Sequence, residues 1–258
     1  MQNLNVTLIQ TELDWEIATA NLRRFDKLLQ SLECDTDLIV LPEMFSTGFS
    51  MDADRLAEGM QGAAVEWLRE KARRFQADVI GSIIIAENGK HYNRLCWSSP
   101  DGQVRSYDKK HLFRYAGEEK VYTAGNSLML AEIKGWKIRP FICYDLRFPV
   151  WSRNTDNEYD LAVYIANWPE RRSAHWKNLL QARAIENQAY VIGVNRIGKD
   201  GKGVYYSGDS SIIDPLGEIL FRNSHAPCLY TAQLDYDLLD KYRRSFPAWM
   251  DVDHFVLR

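Results

Sequence analysis

Three apolar runs in this chain each stop at a group able to do chemistry. LIVLPE ends in Glu43, FICYD turns from apolar to polar at Cys143, and VYIANW runs into Asn167. A fourth stretch, YDKKHLF, sets Lys109 and Lys110 directly after an aromatic strand end. A free cysteine among apolar neighbours is, taken alone, a small packing residue. Tyr144, Asp145 and Arg147 follow Cys143 at once, however, and a strand core does not accept them. A thiol nucleophile needs a base for its proton and a donor for the oxyanion that its attack creates. Histidine is the common base, but neither His111 nor His175 has an evident Asn or Asp to orient it. A carboxylate base, Glu43, with a lysine ammonium as electrostatic partner is the remaining combination. Asn167 can equally be the first residue of the turn NWPE.

Other chemistries lack their residues. The four cysteines, Cys34, Cys96, Cys143 and Cys228, form no C-x-x-C pair, and the five histidines supply no clustered metal ligands. G-x-S-x-G and the phosphate-binding G-x-x-x-x-G-K-[ST] are absent, and Gly201–Gly203 lacks the third glycine of a dinucleotide fingerprint. A net charge of -3 without a basic stripe argues against nucleic acid. No window approaches the ~18 apolar residues of a membrane span, and the start has no positive region ahead of an apolar run. The expectation is a cytosolic protein with free thiols and no membrane partner.

The elements that must position these groups read as α/β. Strands are predicted over 5–10, 37–41, 79–86, 91–98, 104–107, 136–143, 160–166, 190–195 and 210–213, with amphipathic helices over 17–32, 61–75 and 174–187. ENGK and PDGQ supply hairpin turns. The polar stretch 109–126 is too long for a plain connection and reads as a functional loop. No Gly/Ser/Pro linker divides the chain, so one domain over 1–258 is expected, with 245–258 a tail of open docking. If the strands ending at Glu43, Cys143 and Asn167 are parallel neighbours, their carboxyl ends converge on one pocket.

LPEMFSTGF, YDKKHLF and CYDLRFP, in that order, resemble the Glu, Lys and Cys motifs of the nitrilase (carbon–nitrogen hydrolase) superfamily. The resemblance runs from NVTLIQ to about Leu234, and GFS, YDKKHLFRYAGEE and NWPERRSAHWKNLLQARAIENQAY are similar to its ω-amidase branch. It implies a four-layer α-β-β-α sandwich, usually paired through outer helices into a homodimer, and no metal or cofactor. Position by position it assigns Glu43 as general base, Lys110 as the lysine and Cys143 as nucleophile, and leaves Lys109 a solvated neighbour. The second carboxylate of amidase members falls on Glu118, with Glu119 adjacent.

The expected activity is hydrolysis of the terminal amide of a short dicarboxylic monoamide, such as 2-oxoglutaramate or 2-oxosuccinamate. The main-chain N–H of Tyr144 is an oxyanion donor beside the lysine, and Trp168 belongs on the pocket wall. Arg147, Arg171 and Arg172 are candidates to hold the far carboxylate, although Arg147 can instead neutralise Asp145. An N-carbamoyl amidohydrolase, a general aliphatic amidase or a nitrilase would fit the same scaffold. A silent metabolite or redox sensor would need neither Glu43 nor a lysine.

Overall fold

The computed structural model describes residues 2–256. Among these, the strands are β1 (Leu4–Gln10), β2 (Leu38–Val40), β3 (Asp78–Glu87), β4 (Lys90–Ser98), β5 (Val104–Asp108), β6 (Ala131–Ile133), β7 (Trp136–Ile142), β8 (Leu161–Ala166), β9 (Tyr190–Asn195), β10 (Ile197–Lys199), β11 (Tyr205–Ile213), β12 (Ile219–Ser224) and β13 (Cys228–Leu234). The helices are α1 (Ala18–Leu29), α2 (Ala53–Leu56), α3 (Ala63–Phe75), α4 (Pro149–Ser152), α5 (Ser173–Asn187) and α6 (Tyr236–Ser245). One sheet runs β13-β1-β2-β3-β4-β5; the other runs β10-β11-β9-β8-β7-β6, with β12 on β11.

Strict alternation decides how the first sheet is buried. Leu4, Val6, Leu8, Leu38, Val40, Ile80, Leu95 and Trp97 join the core shared with the second sheet. Their alternates Ile9, Ile39, Leu41, Val79, Ile83 and Cys96 face α1 and α3 through Phe25, Leu29, Val65 and Leu68. A strand buried on both faces has no polar side to show, which is why LIVL, Leu38 to Leu41, is a continuous apolar run. Each such side chain stabilises the fold by ~1.5–3 kcal/mol on burial. Outside the second sheet, α5 lies so close to β9 that a Cβ on Gly193 would meet Leu180 at 2.4 Å. The layers are therefore helix, sheet, sheet, helix: the four-layer sandwich.

Two expectations need correction. The strands ending at Glu43, Cys143 and Asn167 are not neighbours in one sheet: β2 lies in the first, while β7 and β8 pair in parallel in the second. Their ends converge across the sandwich. The period-2 signal also missed β12 and β13, whose partly exposed, mixed sequences lack a clean apolar run. The tail turns back on α5: Gln188 donates through Nε2 to the Phe246 carbonyl (2.7 Å) and accepts from Trp249 N–H (3.2 Å). Of 245–258, the last two residues lie outside the described range. No helix among the described residues is long and apolar enough to cross a membrane.

Candidate active site

Cys143 occupies the junction where β7 ends and a 3-10 turn, Cys143–Arg147, begins. Its φ of 45° lies in the left-handed region, a strain of ~1–3 kcal/mol that only surrounding structure can hold. Asp145, fully buried two residues on, supplies that structure. Its carboxylate accepts from Ile142 N–H (3.0 Å), Tyr107 OH (2.7 Å) and His111 N–H (2.9 Å), and lies 2.8 Å from His111 Nδ1. The turn that carries the thiol is thus tied to the strand end that carries the lysine.

The lysine that the structure brings to Glu43 and Glu118 is Lys109, not Lys110. Its ammonium is fully enclosed and donates to Glu43 Oε1 (2.8 Å) and to Glu118 Oε1 and Oε2 (3.0 and 2.9 Å). Lys110 is partly exposed and places Nζ 5.1 Å from the Trp151 ring centroid instead. The reason is strand parity. Tyr107 points into the sandwich, so Lys109 does too, whereas Asp108 turns outward to pair with Arg94 (2.6 Å). Gly125 seals this strand end: its N–H donates to the Lys109 carbonyl (2.9 Å), and a Cβ there would lie 2.2 Å from the Asp108 carbonyl oxygen.

Glu43 reaches the site from the end of β2 and Glu118 from the 109–126 loop; neither side chain is exposed. Glu43 Oε1 also accepts from Asn93 Nδ2 (2.8 Å), and Oε2 accepts from Asn167 N–H (2.8 Å). Asn167 Nδ2 donates to the Glu43 carbonyl (2.6 Å), so this side chain pins the carboxylate and does more than start a turn. Glu118 also accepts from Phe113 N–H, while Glu119 is partly exposed and holds none of these groups. Burial, then the charge of Glu43, pushes the Cys143 thiol well above its usual range, against the pull of Lys109. Burial raises the Glu118 carboxyl as well, with Lys109 opposing and Glu43 reinforcing. Burial would lower the Lys109 ammonium, but Glu118 and Glu43 reverse this and hold it charged. At rest the cluster is therefore a protonated thiol next to a lysinium shared by two carboxyl groups.

A cavity of about 200 Å³ opens onto Cys143, with Tyr144, Asn167, Trp168, Arg147, Arg171 and Arg172 in its lining. Arg147 does not pair with Asp145, whose acceptors are already taken. It lies 4.8 Å over the Trp168 ring, with Nη2 2.9 Å from His175 Nδ1. Arg172 stacks on Phe113 (5.2 Å) and Arg171 on Tyr115 (5.4 Å). Among the described residues none of the three meets a carboxylate within salt-bridge distance. Burial, then the charges of Arg171 and Arg147, lowers the Arg172 guanidinium from its usual value. Nor do three His, Cys, Asp or Glu side chains gather in metal-binding geometry among the described residues.

The carbon-nitrogen hydrolase family model matches residues 5–244. The chain belongs to the carbon-nitrogen hydrolase family. Among curated members, the omega-amidase YafV of Escherichia coli (strain K12) is 48% identical over 258 residues, covering 100% of both chains. The 2-oxoglutaramate amidase of Bacillus subtilis (strain 168) is 31% identical over 251 residues, covering 96% of each. A solved carbon-nitrogen hydrolase from Xanthomonas campestris, XC1258, which carries an arsenic adduct in its active site, superposes with a TM-score of 0.98 at 41% identity over 100% of both chains.

Asn93, Asp145 and the inward turn of Lys109 escaped sequence reasoning. Counting alternation back from Leu95 and Trp97 in β4 would have put Asn93 on the interior face, a polar residue on an apolar stripe.

Proposed function

We propose that this enzyme is an ω-amidase, hydrolysing the terminal amide of short dicarboxylic monoamides such as 2-oxoglutaramate or 2-oxosuccinamate. The relatives named omega-amidase and 2-oxoglutaramate amidase support the activity. The observation that carries the substrate class is the set of three carboxylate-free guanidinium groups lining the cavity that opens onto Cys143. A volume of about 200 Å³ is below the ~300–1,000 Å³ of drug-sized sites and fits a short chain.

The Cys143 sulfur attacks the amide carbon as its proton passes to Glu43, and the C=O pair moves onto oxygen. Lys109 and the Tyr144 main-chain N–H are, on this reading, the donors to that oxyanion; one such donor is typically worth ~2.7–4 kcal/mol. Collapse breaks the C–N bond, Glu43 returns the proton to nitrogen, and ammonia leaves a thioester on Cys143. Water, deprotonated by Glu43, releases the acid and restores the thiol. Attack moves one negative charge from Glu43, which takes the proton, to the substrate oxygen, so the total charge of side chains and bound substrate stays constant and only its position changes.

Only the far carboxylate separates succinamate from butyramide. A fully buried charge left without its partner costs ~2–5 kcal/mol. Arg147 and Arg172 are half-buried and Arg171 is exposed, so solvent screening holds the cost here to ~2 kcal/mol or less, and ~1.4 kcal/mol is tenfold. The amide lacking the carboxylate should therefore trail by roughly 10- to 30-fold in kcat/KM. Equal rates on one preparation would reduce the protein to a general aliphatic amidase. The same reading carries a cytoplasmic homodimer, whose pairing is checked by the mass in solution against 29.9 kDa for one chain.

A further inference from the structure

We infer that Asn93 is a positioning residue of the reaction, whose amide group donates to both buried carboxylates and so keeps Glu43 able to receive the thiol proton. This rests on the reading of Glu43 as base. The last registered pair of the β4–β5 ladder is Arg94 with Asp108. Lys109 N–H then donates to the Asn93 carbonyl (3.0 Å), which makes Asn93 and Lys109 cross-strand neighbours on the inward face. Asn93 is 1% exposed. Its Nδ2 lies 2.8 Å from Glu43 Oε1 and 3.2 Å from Glu118 Oε1, one hydrogen for each. Its Oδ1 has no partner. Turning the amide over would set that oxygen against two carboxylate oxygens, so its donor side must face them.

Two carboxylates in one site ordinarily share a proton, because both cannot ionise side by side. A proton held between Glu43 and Glu118 would occupy the lone pair that must accept hydrogen from Cys143. Lys109 offers one positive charge to two carboxylates. Asn93 adds two N–H groups and no charge: enough to hold the anions apart from a shared proton, without the second cation that would make Glu43 too weak a base. The other titratable groups around the pair are Cys143, Tyr122 and Tyr206, and burial holds both phenols above their usual range and neutral.

The test is the pH dependence of kcat/KM for succinamate in Asn93→Leu, which keeps the approximate size and removes the donor. Loss of hydrogen bonds to the charged form favours protonation, so the acid limb should move up by about one pH unit or more. That limb belongs to the coupled cluster and not to one group. Asn93→Ser, retaining one smaller donor, should move it less in the same direction, and decides the matter if Asn93→Leu does not fold. A rate reduced equally at every pH, with the acid limb where the wild type has it, overturns the inference and leaves Asn93 a packing residue. Full activity in Glu43→Gln would instead remove the base reading on which it rests.

Discussion

Replacing Lys109 by Met removes the cation that Glu43 and Glu118 share while keeping an unbranched side chain of similar length. All three side chains are fully enclosed, so solvent offers no screening. Breaking a buried pair by deleting one partner costs ~3–5 kcal/mol. In a chain of this size each kcal/mol moves Tm by ~2–4 °C, so a fall of roughly 6–20 °C is expected near neutral pH. The loss should shrink in acid. Without Lys109, which opposes the effect of burial, the Glu118 carboxyl rises further above its unfolded value, and the folded state then binds more protons than the unfolded one. Stability accordingly falls as pH rises through that window and recovers as pH drops below it. Wild-type Glu118, already raised by burial, has the same sign on a smaller scale. Calorimetry at several pH values gives the stability, and ammonia release from succinamate should fall by on the order of 10³-fold or more. Lys109→Arg should be nearly inactive as well, since a branched guanidinium does not fit a point-like ammonium's place. Lys110→Arg should stay near wild type. Normal stability and turnover in Lys109→Met, with loss in Lys110→Arg, would refute the parity argument.

Cys143→Ala should abolish turnover, and iodoacetamide, itself an amide, should modify Cys143 in step with inactivation. Succinamate should slow that reaction without protecting exposed Cys34; protection of neither, or loss of activity tracking Cys34, removes Cys143 as nucleophile. Glu43→Gln keeps shape and loses the base, so single-turnover acylation should slow by about 10²-fold or more with KM little changed. A raised KM at unchanged kcat would make Glu43 a binding residue.

Much of the site was legible because strand ends announce themselves. Glu43 and Cys143 stand where an apolar run meets polar residues of reactive type, which marked those strand ends out. The lysine was not legible from the motif alone, because KK offers two ammonium groups and a one-residue shift exchanges inside for outside. Tyr107 held the answer: an aromatic two residues before Lys109 fixes which face turns inward. Arg147 misled for a different reason. Its nearness to Asp145 in sequence invited an ion pair, yet the 3-10 turn directs Asp145 back to Ile142, Tyr107 and His111 and leaves Arg147 in the cavity lining. The meeting of β2 with β7 and β8 across two sheets left no local mark at all, since sheet membership is decided by contacts far apart in sequence.

The division of the site between two sheets has a cost during synthesis. Five strands of the first sheet are complete once Asp108 is made, but β1 still lacks β13, which pairs Leu4 with Leu234. The inner face carrying Val6, Leu8, Val40, Ile80 and Trp97 has nothing to lie on until the strands through Ile213 emerge. At ~5–20 residues per second that interval lasts roughly 5–20 s on the ribosome. Over that time a half-made chain shows water an apolar sheet and an unpaired β1 edge, the conditions for adhesion to other chains. Glu43 and Lys109 are already in place on it, but the thiol comes later, so a chain stalled there is chemically inert and physically sticky.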